Sequence, residues 1–422
     1  MTVVGADAVE SAAKAGEPLR VSATDLVTPL ARERARDLGV DIVTGAAPPP
    51  GRTADPQPAH GYRARSLRPA RAAPRATVLG PPVPFVGPPS GALFRRGAPV
   101  TAPVTASGAV PLTTSAPSRV VVVGAGHVGM ITAMRLADAD VFPEVVLVDI
   151  DEGRAAGIAL DLTHTAALSG FATRIRGVGT VEAAGPADYV VVTAGRPRQP
   201  GMSRADLISS NAAIVGDIAK RVAASSPEAV MVVVTNPLDE MTQHAWQVSG
   251  FPSRRVIGMA GVLDTARFQA LVALGGSTRA DRVTAWALGS HGEEMVIPLS
   301  QAGAGGRPLD PRQLTETIAR AKGSGAEVVG LLKTGSAFLA PGTSAARMVL
   351  AMARDSGEVL PAAVLADGSY GIRDVYVGLP ARLGRRGVIG IVELPLRPDE
   401  LTALRNAAER IRERVAGLAR AS

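Results

Sequence analysis

The stretch spanning residues 119–149 constrains the fold of this chain more than any other part of the sequence. An apolar run at residues 120–123 leads into three glycines, Gly124, Gly126 and Gly129, spaced as G-x-G-x-x-G. The first glycine permits a tight turn, the second lets backbone amides approach a bound group, and the third lets a helix pack closely on a strand. The pattern therefore predicts a strand, a glycine turn and the start of a helix.

A second apolar run follows at residues 145–148 and ends in Asp149. The order strand, glycine turn, helix, strand and acid is typical of a dinucleotide site, because a helix N-terminus offers unpaired N–H groups to a pyrophosphate. Asp149 can accept hydrogen bonds from both ribose hydroxyls, and its charge repels a 2′-phosphate. We therefore expect NAD as the cofactor, in preference to NADP.

The composition is that of a globular protein with more than one domain. The chain has 422 residues, 46% of them hydrophobic, and its apolar runs fall well short of the roughly 20 residues that span a membrane. The N-terminus lacks the basic-then-apolar layout of a secretory signal, so we expect a cytoplasmic protein. The absence of cysteine excludes disulfides, zinc thiolates and thiol catalysis, and we find no cluster that resembles a metal site.

The positive charge is concentrated in the N-terminal third. The net charge is +7, and residues 1–118 carry 13 Lys and Arg against 8 Asp and Glu. Nucleic-acid binding would need basic residues interleaved with aromatic ones, and aromatic residues make up only 3% of the chain. The composition therefore argues against a nucleic-acid partner.

Residues 1–47 are predicted to form a small helical module. One helix is expected over residues 7–15, and a second begins after Thr28 as N-cap, ends at Gly39 and leads into a short strand at residues 40–43. We detect no internal repeat of short period. The phrase DLVTPLARERARDLGVDI is similar to segments of accessory enzymes of bacterial microcompartments. The module is therefore either a dispensable extension or a docking element for a protein or shell partner inside such a compartment, and nothing supports a DNA-binding helix pair.

Residues 48–118 have the composition of a linker. They contain PPPGR, PQPAHGY and LGPPVPFVGPPSG, and eight arginines face a single acid, Asp55. Such a segment buries too little apolar surface to offset the loss of chain entropy on folding. We expect disorder with polyproline segments, which act as a tether or as an arginine-rich contact for a negatively charged partner.

From Arg119 onward, strands and helices alternate, which predicts an α/β fold with a mostly parallel sheet. Helices are expected over residues 152–168 and 204–225, and strands over residues 189–193 and 230–235.

The chain from Arg119 to about Val415 resembles the lactate/malate dehydrogenase family. The matching phrases, in family order, are VVGAGHVG, VDIDEGRAAGIALDL, VVVTAGRPRQPGMSRADLISSN, VVVTNPLD, VIGMAGVLDTARF, LGSHGEEMV and YVGLPARLGRRGV. The resemblance implies a Rossmann-type doubly wound parallel sheet over residues 119–264 and an α+β catalytic domain over residues 265–422, after a largely disordered extension. It also implies a homodimer or homotetramer.

The reaction that the resemblance implies moves a hydride between nicotinamide and C2 of a 2-hydroxy acid, so some group must carry the hydroxyl proton. His291, in LGSHGEEM, is the candidate, because imidazole titrates near neutral pH. Asp264 is its family-matched partner, and a neighbouring carboxylate favours the imidazolium. We interpret the other four histidines as non-catalytic: His60, His127, His164 and His244.

Substrate carboxylates are best bound by arginine, whose planar fork matches two oxygens. Arg267 lies three residues after Asp264, so one helical turn places both on one face. The resemblance makes Arg267 the clamp for the C1 carboxylate and Arg204 the group that polarises the C2 carbonyl.

Arg198 is expected to select the substrate. It lies six residues before Arg204, where malate-specific members of the family carry arginine and lactate-specific members carry glutamine. A second carboxylate, as in oxaloacetate or malate, needs a charged partner. Pyruvate has no such group and would leave a buried arginine unpaired, which costs roughly several kcal/mol. Two alternatives stay open: another, lactate-type 2-hydroxy-acid dehydrogenase, or an assembly protein whose extension has the main role.

The remaining site residues are expected on the cofactor side. Asn236 follows a strand and would contact nicotinamide ribose or substrate, and Asn211 matches the family's cofactor-side asparagine. Thr193 and Gly195 belong to the turn beside the pyrophosphate. The sequence at residues 340–343 is looser than the usual family form around the substrate pocket, which leaves the substrate range open.

Overall fold

The computed structural model describes residues 3–4, 6–22, 25–27, 29–44, 119–197, 204–275, 278–292, 294–309 and 314–421. The predicted linker and Arg198 lie outside these residues, so the expected disorder of the linker stays a prediction. The described residues fall into two compact units, 3–44 and 119–421. No helix in the described part of the chain has the length and apolar character needed to cross a membrane.

The N-terminal unit consists of two β–α–β segments. The elements are β1 (Val3–Val4), α1 (Ala6–Ala15), β2 (Leu19–Val21), β3 (Leu26–Val27), α2 (Pro29–Leu38) and β4 (Ile42–Thr44). β1 pairs in parallel with β3, and β2 pairs in parallel with β4. Both predicted helices are therefore present, and the predicted strand at residues 40–43 lies slightly later, in β4.

The prediction that the chain has no short-period repeat is wrong for this unit. Val3 pairs with Leu26 and Leu19 with Ile42, so in both pairs the partners are 23 residues apart. Gly16 and Gly39 follow the two helices at the same spacing, with φ of +67° and +65°. The sequence does not reveal the repeat, because most pairs of residues that are 23 positions apart are of different types.

The first half of the larger unit alternates strands and helices as predicted. Its strands are β5 (Arg119–Val123), β6 (Glu144–Val148), β7 (Arg174–Val178), β8 (Tyr189–Val192), β9 (Val230–Val233) and β10 (Val256–Gly258). Its helices are α3 (His127–Asp138), α4 (Glu152–His164), α5 (Ala166–Ser169), α6 (Val181–Ala184), α7 (Arg204–Ser225) and α8 (Leu238–Ser249). The single helix expected over residues 152–168 is interrupted at Thr165, whose hydroxyl donates to the carbonyl of Leu162.

The second half combines helices with strands of two to twelve residues. Its helices are α9 (Gly261–Leu274), α10 (Thr315–Leu332), α11 (Leu339–Ala353) and α12 (Pro398–Ala421). Its strands are β11 (Val283–Thr284), β12 (Leu288–Gly289), β13 (Met295–Val296), β14 (Gly303–Ala304), β15 (Arg307–Pro308), β16 (Val359–Asp367), β17 (Arg373–Gly384) and β18 (Gly387–Ile391).

One large sheet runs through both halves. In the described residues its strand order is β13-β12-β17-β16-β10-β9-β8-β5-β6-β7, with β18 paired to β17. The strands from β5 to β10 are parallel, in the order of a doubly wound dinucleotide-binding fold, whereas β16, β17, β18, β12 and β13 pair antiparallel. The predicted parallel sheet is therefore confirmed for the first half, and the second half extends it with antiparallel strands.

The apolar strands are continuous because the sheet is covered on both faces. Successive residues of a strand point to opposite faces, so Val120 and Val122 enter one core and Val121 and Val123 the other. The first core includes residues of α3, α4 and α11, and the second includes residues of α7 and α8. This packing fixes the carboxyl ends of β5 and β8, where a doubly wound sheet binds ligands.

Candidate functional site

The glycine turn after β5 has room for a side chain at only one of its three glycines. Gly124 has φ of +104°, and a Cβ there would lie 2.6 Å from the backbone nitrogen of Ala194. A Cβ on Gly129 would lie 1.8 Å from the carbonyl oxygen of Gly124, so α3 packs directly on the turn. Gly126, by contrast, faces open space within 4 Å. A ligand can therefore approach the backbone at Gly126, as the spacing predicts.

A cleft of about 780 Å³ opens at this end of the sheet. It is lined by residues that the sequence predicts for the cofactor: Gly124, Gly126, Asp149, Thr193 and Gly195. Thr193 Oγ1 donates to the carbonyl of Gly124 over 2.9 Å, which joins the end of β8 to the glycine turn. The volume and the backbone lining fit an extended ligand such as a dinucleotide.

Asp149, at the end of β6, is held by two backbone groups. Its Oδ2 accepts from the N–H of Ala125 over 2.7 Å, and its Oδ1 accepts from the N–H of Asp151 over 3.1 Å. Sequence reasoning missed two other residues of the cleft. Ile150 is fully exposed and offers an apolar surface, and Arg154 Nε donates to the carbonyl of Ala125 over 3.0 Å. In the sequence, Ile150 could have been identified as a residue of the cleft because it directly follows Asp149.

Asn211 lies in α7 and is buried with its amide fully engaged. Its Nδ2 donates to the carbonyls of Asn236 and Arg196, over 2.7 and 3.2 Å, and its Oδ1 accepts from the N–H of Arg196 over 2.7 Å. Arg196 itself lines the cleft. Asn211 therefore braces the segment after β8 against the end of β9, and its predicted contact with a cofactor stays a prediction.

His291 lies beside two residues of α9 that the sequence assigns to the same site. His291 Nδ1 is 2.7 Å from Asp264 Oδ2, and Arg267 Nη1 is 3.3 Å from Asp264 Oδ1. Asp264 is only 2% exposed. The spacing of three residues on α9 places the carboxylate between the imidazole and the guanidinium. The structure therefore brings together the predicted proton carrier, its partner and one predicted carboxylate clamp.

The surroundings of His291 favour its protonated form. Burial alone would lower the pKa of His291, but the nearby Asp264 carboxylate, assisted by Asp239, outweighs that effect and raises it. Asp239 is missing from the sequence prediction. Its Oδ2 accepts from Ser290 Oγ over 2.8 Å and from the N–H of His291 over 3.1 Å.

Asp239 is itself unusual because it is buried. Burial, together with the neighbouring Glu240, raises the pKa of Asp239 to about 6. Its other oxygen, Oδ1, is buried without a hydrogen-bond partner among the described residues. Its position three residues after Asn236, in the first turn of α8, was the only sequence signal for it.

The side chains of two predicted arginines lie outside the described part of the structure. Arg204 begins α7, but only its backbone is described, and Arg198 lies outside the described residues. Asn236 is exposed at the end of β9 and precedes a cis peptide bond to Pro237. Its predicted contact with ribose or substrate agrees with this position and stays a prediction.

The other histidines that the structure describes lie elsewhere. His127 begins α3 and stacks on Phe338 with ring centroids 5.0 Å apart. His244 lies within α8, and burial lowers its pKa. His164 ends α4, and His60 is outside the described residues.

The segment at residues 340–343, whose sequence departs from the usual family form, lies in the first turn of α11. A Cβ on Gly342 would lie 2.7 Å from Ile131 Cβ, so α11 packs directly on α3. Within the ranges that the structure describes, no three His, Asp or Glu side chains are grouped so as to hold a metal ion.

Comparisons with known proteins match nearly the whole of the larger unit. Residues 118–258 match the family model for the NAD-binding domain of lactate/malate dehydrogenase, and residues 261–419 match that for the α/β C-terminal domain. A malate dehydrogenase of Synechocystis sp. is 44% identical over 299 residues, which cover 70% of this chain and 92% of that protein.

Solved structures are similar over the same region. The malate dehydrogenase of Salinibacter ruber has a TM-score of 0.68 at 38% identity and covers 72% of this chain and 98% of its own. The lactate dehydrogenase of Cryptosporidium parvum, complexed with lactic acid and NAD, has a TM-score of 0.69 at 33% identity, with coverage of 72% and 98%.

Proposed function

Because the chain belongs to the lactate/malate dehydrogenase family, we propose that His291, Asp264 and Arg267 carry out its reaction, the NAD-dependent interconversion of oxaloacetate and (S)-malate. The observation that supports these roles is the contact of a buried carboxylate with both an imidazole and a guanidinium. Cofactor and substrate sides are linked through Asn211, which contacts both Arg196 in the cleft and Asn236.

When bound, NAD accepts a hydride in its oxidised form and donates one in its reduced form. The open backbone at Gly126 would receive its pyrophosphate, and Asp149 would hold a ribose at the end of β6. In oxaloacetate reduction, protonated His291 donates a proton to the C2 oxygen through Nε2, because Nδ1 is committed to Asp264. In malate oxidation, neutral His291 removes the hydroxyl proton.

Three arginines are assigned to the substrate. Arg267, held against Asp264, binds the C1 carboxylate, and Arg204 at the start of α7 polarises the C2 carbonyl. Arg198 pairs with the second carboxylate of oxaloacetate. The choice of oxaloacetate as the substrate rests on Arg198, since a lactate-type reaction would use the same His291 and Asp264.

The substitution Arg198→Gln is expected to move the preference from oxaloacetate towards pyruvate. It removes the cation that pairs with the second carboxylate, so kcat/KM for oxaloacetate should fall by about 10²–10³-fold. The measurement is NADH oxidation with oxaloacetate, pyruvate and 2-oxoisocaproate, each repeated with NADPH, for wild type and variant.

Arg347→Gln is the matched control, because Arg347 pairs with Glu358 at an exposed position on α11. A variant at Arg198 that turns over oxaloacetate as well as wild type would refute the specificity assignment. A wild-type enzyme that prefers 2-oxoisocaproate or pyruvate would favour the alternative 2-hydroxy-acid dehydrogenase.

We also propose that residues 1–47 dock the enzyme to a protein partner, such as the shell of a bacterial microcompartment, and that the enzyme part forms a homodimer or homotetramer. The tandem β–α–β unit supports the first idea, because the buried apolar residues in its described part are only Val9, Val21, Ala31 and Ala35. A unit with so small a core gains stability from a partner.

Deleting residues 1–118 is expected to leave kcat and KM within about twofold, because the predicted site residues all follow Arg119. The cellular distribution of a fluorescently tagged chain should change from punctate to diffuse. A matched control deletes residues 48–118 alone, which keeps the tandem unit and should keep the puncta. Unchanged distribution after the full deletion would contradict docking, and size-exclusion chromatography with light scattering of both forms gives the oligomeric state.

A further inference from the structure

Arg414, near the end of the last helix, reaches the segment that carries His291. Its Nε is 2.5 Å from Glu240 Oε1 and its Nη1 is 2.6 Å from Glu294 Oε2. Its Nη2 donates to Ser290 Oγ over 2.9 Å. One guanidinium therefore joins α8, the segment after β12 and α12.

The contact with Ser290 continues to the histidine. The hydroxyl of Ser290 accepts from Arg414 and donates to Asp239 Oδ2 over 2.8 Å. The same carboxylate oxygen accepts from the N–H of His291 over 3.1 Å. The path runs from the last helix to the backbone of His291 through three hydrogen bonds.

This path is distinct from the contact that orients the imidazole ring. Asp264 holds His291 at Nδ1 from α9, whereas Asp239 holds the peptide N–H from α8. The contact with Asp264 sets the orientation of the imidazole ring but does not by itself set its position, because a shift of the backbone moves the whole side chain.

The charges along the path depend on Arg414. Its side chain is 18% exposed, and those of Glu240 and Glu294 are 2% and 30% exposed. A carboxylate as buried as Glu240 is strongly disfavoured without a cation. Arg414 therefore compensates two carboxylates while its third nitrogen orients Ser290.

We propose that Arg414 is a positioning residue that fixes the backbone of His291 through Ser290 and Asp239, so that the last helix takes part in placing the proton donor. This inference rests on the proposed role of His291 in the reaction. It assigns a function to α12, whose residues have no place in the predicted site.

The test compares Arg414→Met with Arg410→Met. Arg410 lies one turn earlier on α12, its Nε is 3.8 Å from Glu294 Oε1, and its side chain is 64% exposed. Arg414→Met should lower kcat by about 10- to 100-fold, because a small misplacement of a catalytic group is costly, and leave the Kd for NADH within about twofold. Arg410→Met should leave both within about twofold.

The pH profile separates positioning from a general loss of structure. Among the described residues, the charged groups on the elements around His291 include Asp264 and Arg267 on α9, Asp239 and Glu240 on α8, Glu294 after β12, and Arg410 and Arg414 on α12. Removing the cation leaves Glu240 without its ion pair and Glu294 with only the more distant Arg410, so the apparent pKa for oxaloacetate reduction should move upward in Arg414→Met. Arg414→Lys, which keeps the charge but has a single nitrogen, should restore the pKa more fully than kcat.

Ser290→Ala gives a second route if Arg414→Met fails to fold. It removes the relay but keeps the pairs of Arg414 with Glu240 and Glu294, so kcat should fall while the Tm stays near that of wild type. The inference is overturned if Ser290→Ala has wild-type kcat, or if Arg414→Met matches Arg410→Met. A wild-type enzyme without malate dehydrogenase activity would instead overturn the proposed function.

Discussion

Replacing His291 by Asn is expected to lower kcat for oxaloacetate reduction by about 10²–10⁴-fold, because the variant has no group that titrates near neutral pH at this position. The Kd for NADH should stay within about twofold, since the cleft that receives the cofactor is lined by other residues. Stopped-flow absorbance at 340 nm gives the hydride step, and quenching of NADH fluorescence gives the Kd.

His164→Asn is the control, because His164 ends α4 at an exposed position. It should behave as wild type in both measurements. If His291→Asn retained wild-type turnover, another group would have to carry the proton, and the roles assigned to Asp264 and Asp239 around it would lose their basis.

Asp264→Asn is expected to be comparably damaging, with kcat/KM for oxaloacetate lower by about 10²–10⁴-fold. The carboxylate fixes the tautomer of His291 and stabilises its charged form, and an amide in the same place can do neither well. The variant also leaves Arg267 without its partner, so part of the loss should appear as a higher KM.

The pH dependence of Asp264→Asn gives the sign of the effect. The carboxylate raises the pKa of His291, so its removal lowers that pKa. Reduction needs the imidazolium, and the variant's reduction rate should therefore decline at a lower pH than that of wild type. Malate oxidation needs the neutral ring, and its rate should reach a plateau at a lower pH.

Asp281→Asn provides the matched control, since Asp281 pairs with Arg279 at the surface. Its profiles should coincide with those of wild type. Asp264→Asn profiles with unshifted limbs in both directions would show that Asp264 does not set the pKa of His291.

The sequence predicts the cofactor end of the site well because its chemistry is local. Gly124, Gly129 and Asp149 act through a turn, a close packing contact and a strand end, all within about thirty residues, and spacing alone expresses such relations. The structure adds the reason that Gly129 cannot carry a side chain, the carbonyl of Gly124.

The surroundings of His291 are only partly predictable. Asp264 and Arg267 follow from the family resemblance and from the three-residue spacing on one helix. Arg414 is 124 residues from Ser290 in sequence, and the two meet only after α12 has packed against the sheet. No local pattern records such a contact, and Asp239 is identified by its burial, which depends on the completed fold.

The N-terminal unit illustrates a different limit. Its helices are predicted from caps and glycines, but the 23-residue repeat is seen in the pairing of β1 with β3 and of β2 with β4. The two β–α–β segments share their backbone geometry but few identical side chains, so the repeat is not evident from the sequence.

The boundary between the two matched segments lies inside a hydrogen-bonded sheet. Gly258, the last residue of β10 and the last of the first match, pairs on one side with Val233 and on the other with Ala363. Cutting the enzyme at this point would leave β10 and β16 each with an unpaired apolar edge, the kind of edge that templates aggregation. Because the sheet is continuous across this boundary, each matched half covers a strand edge that the other would otherwise expose.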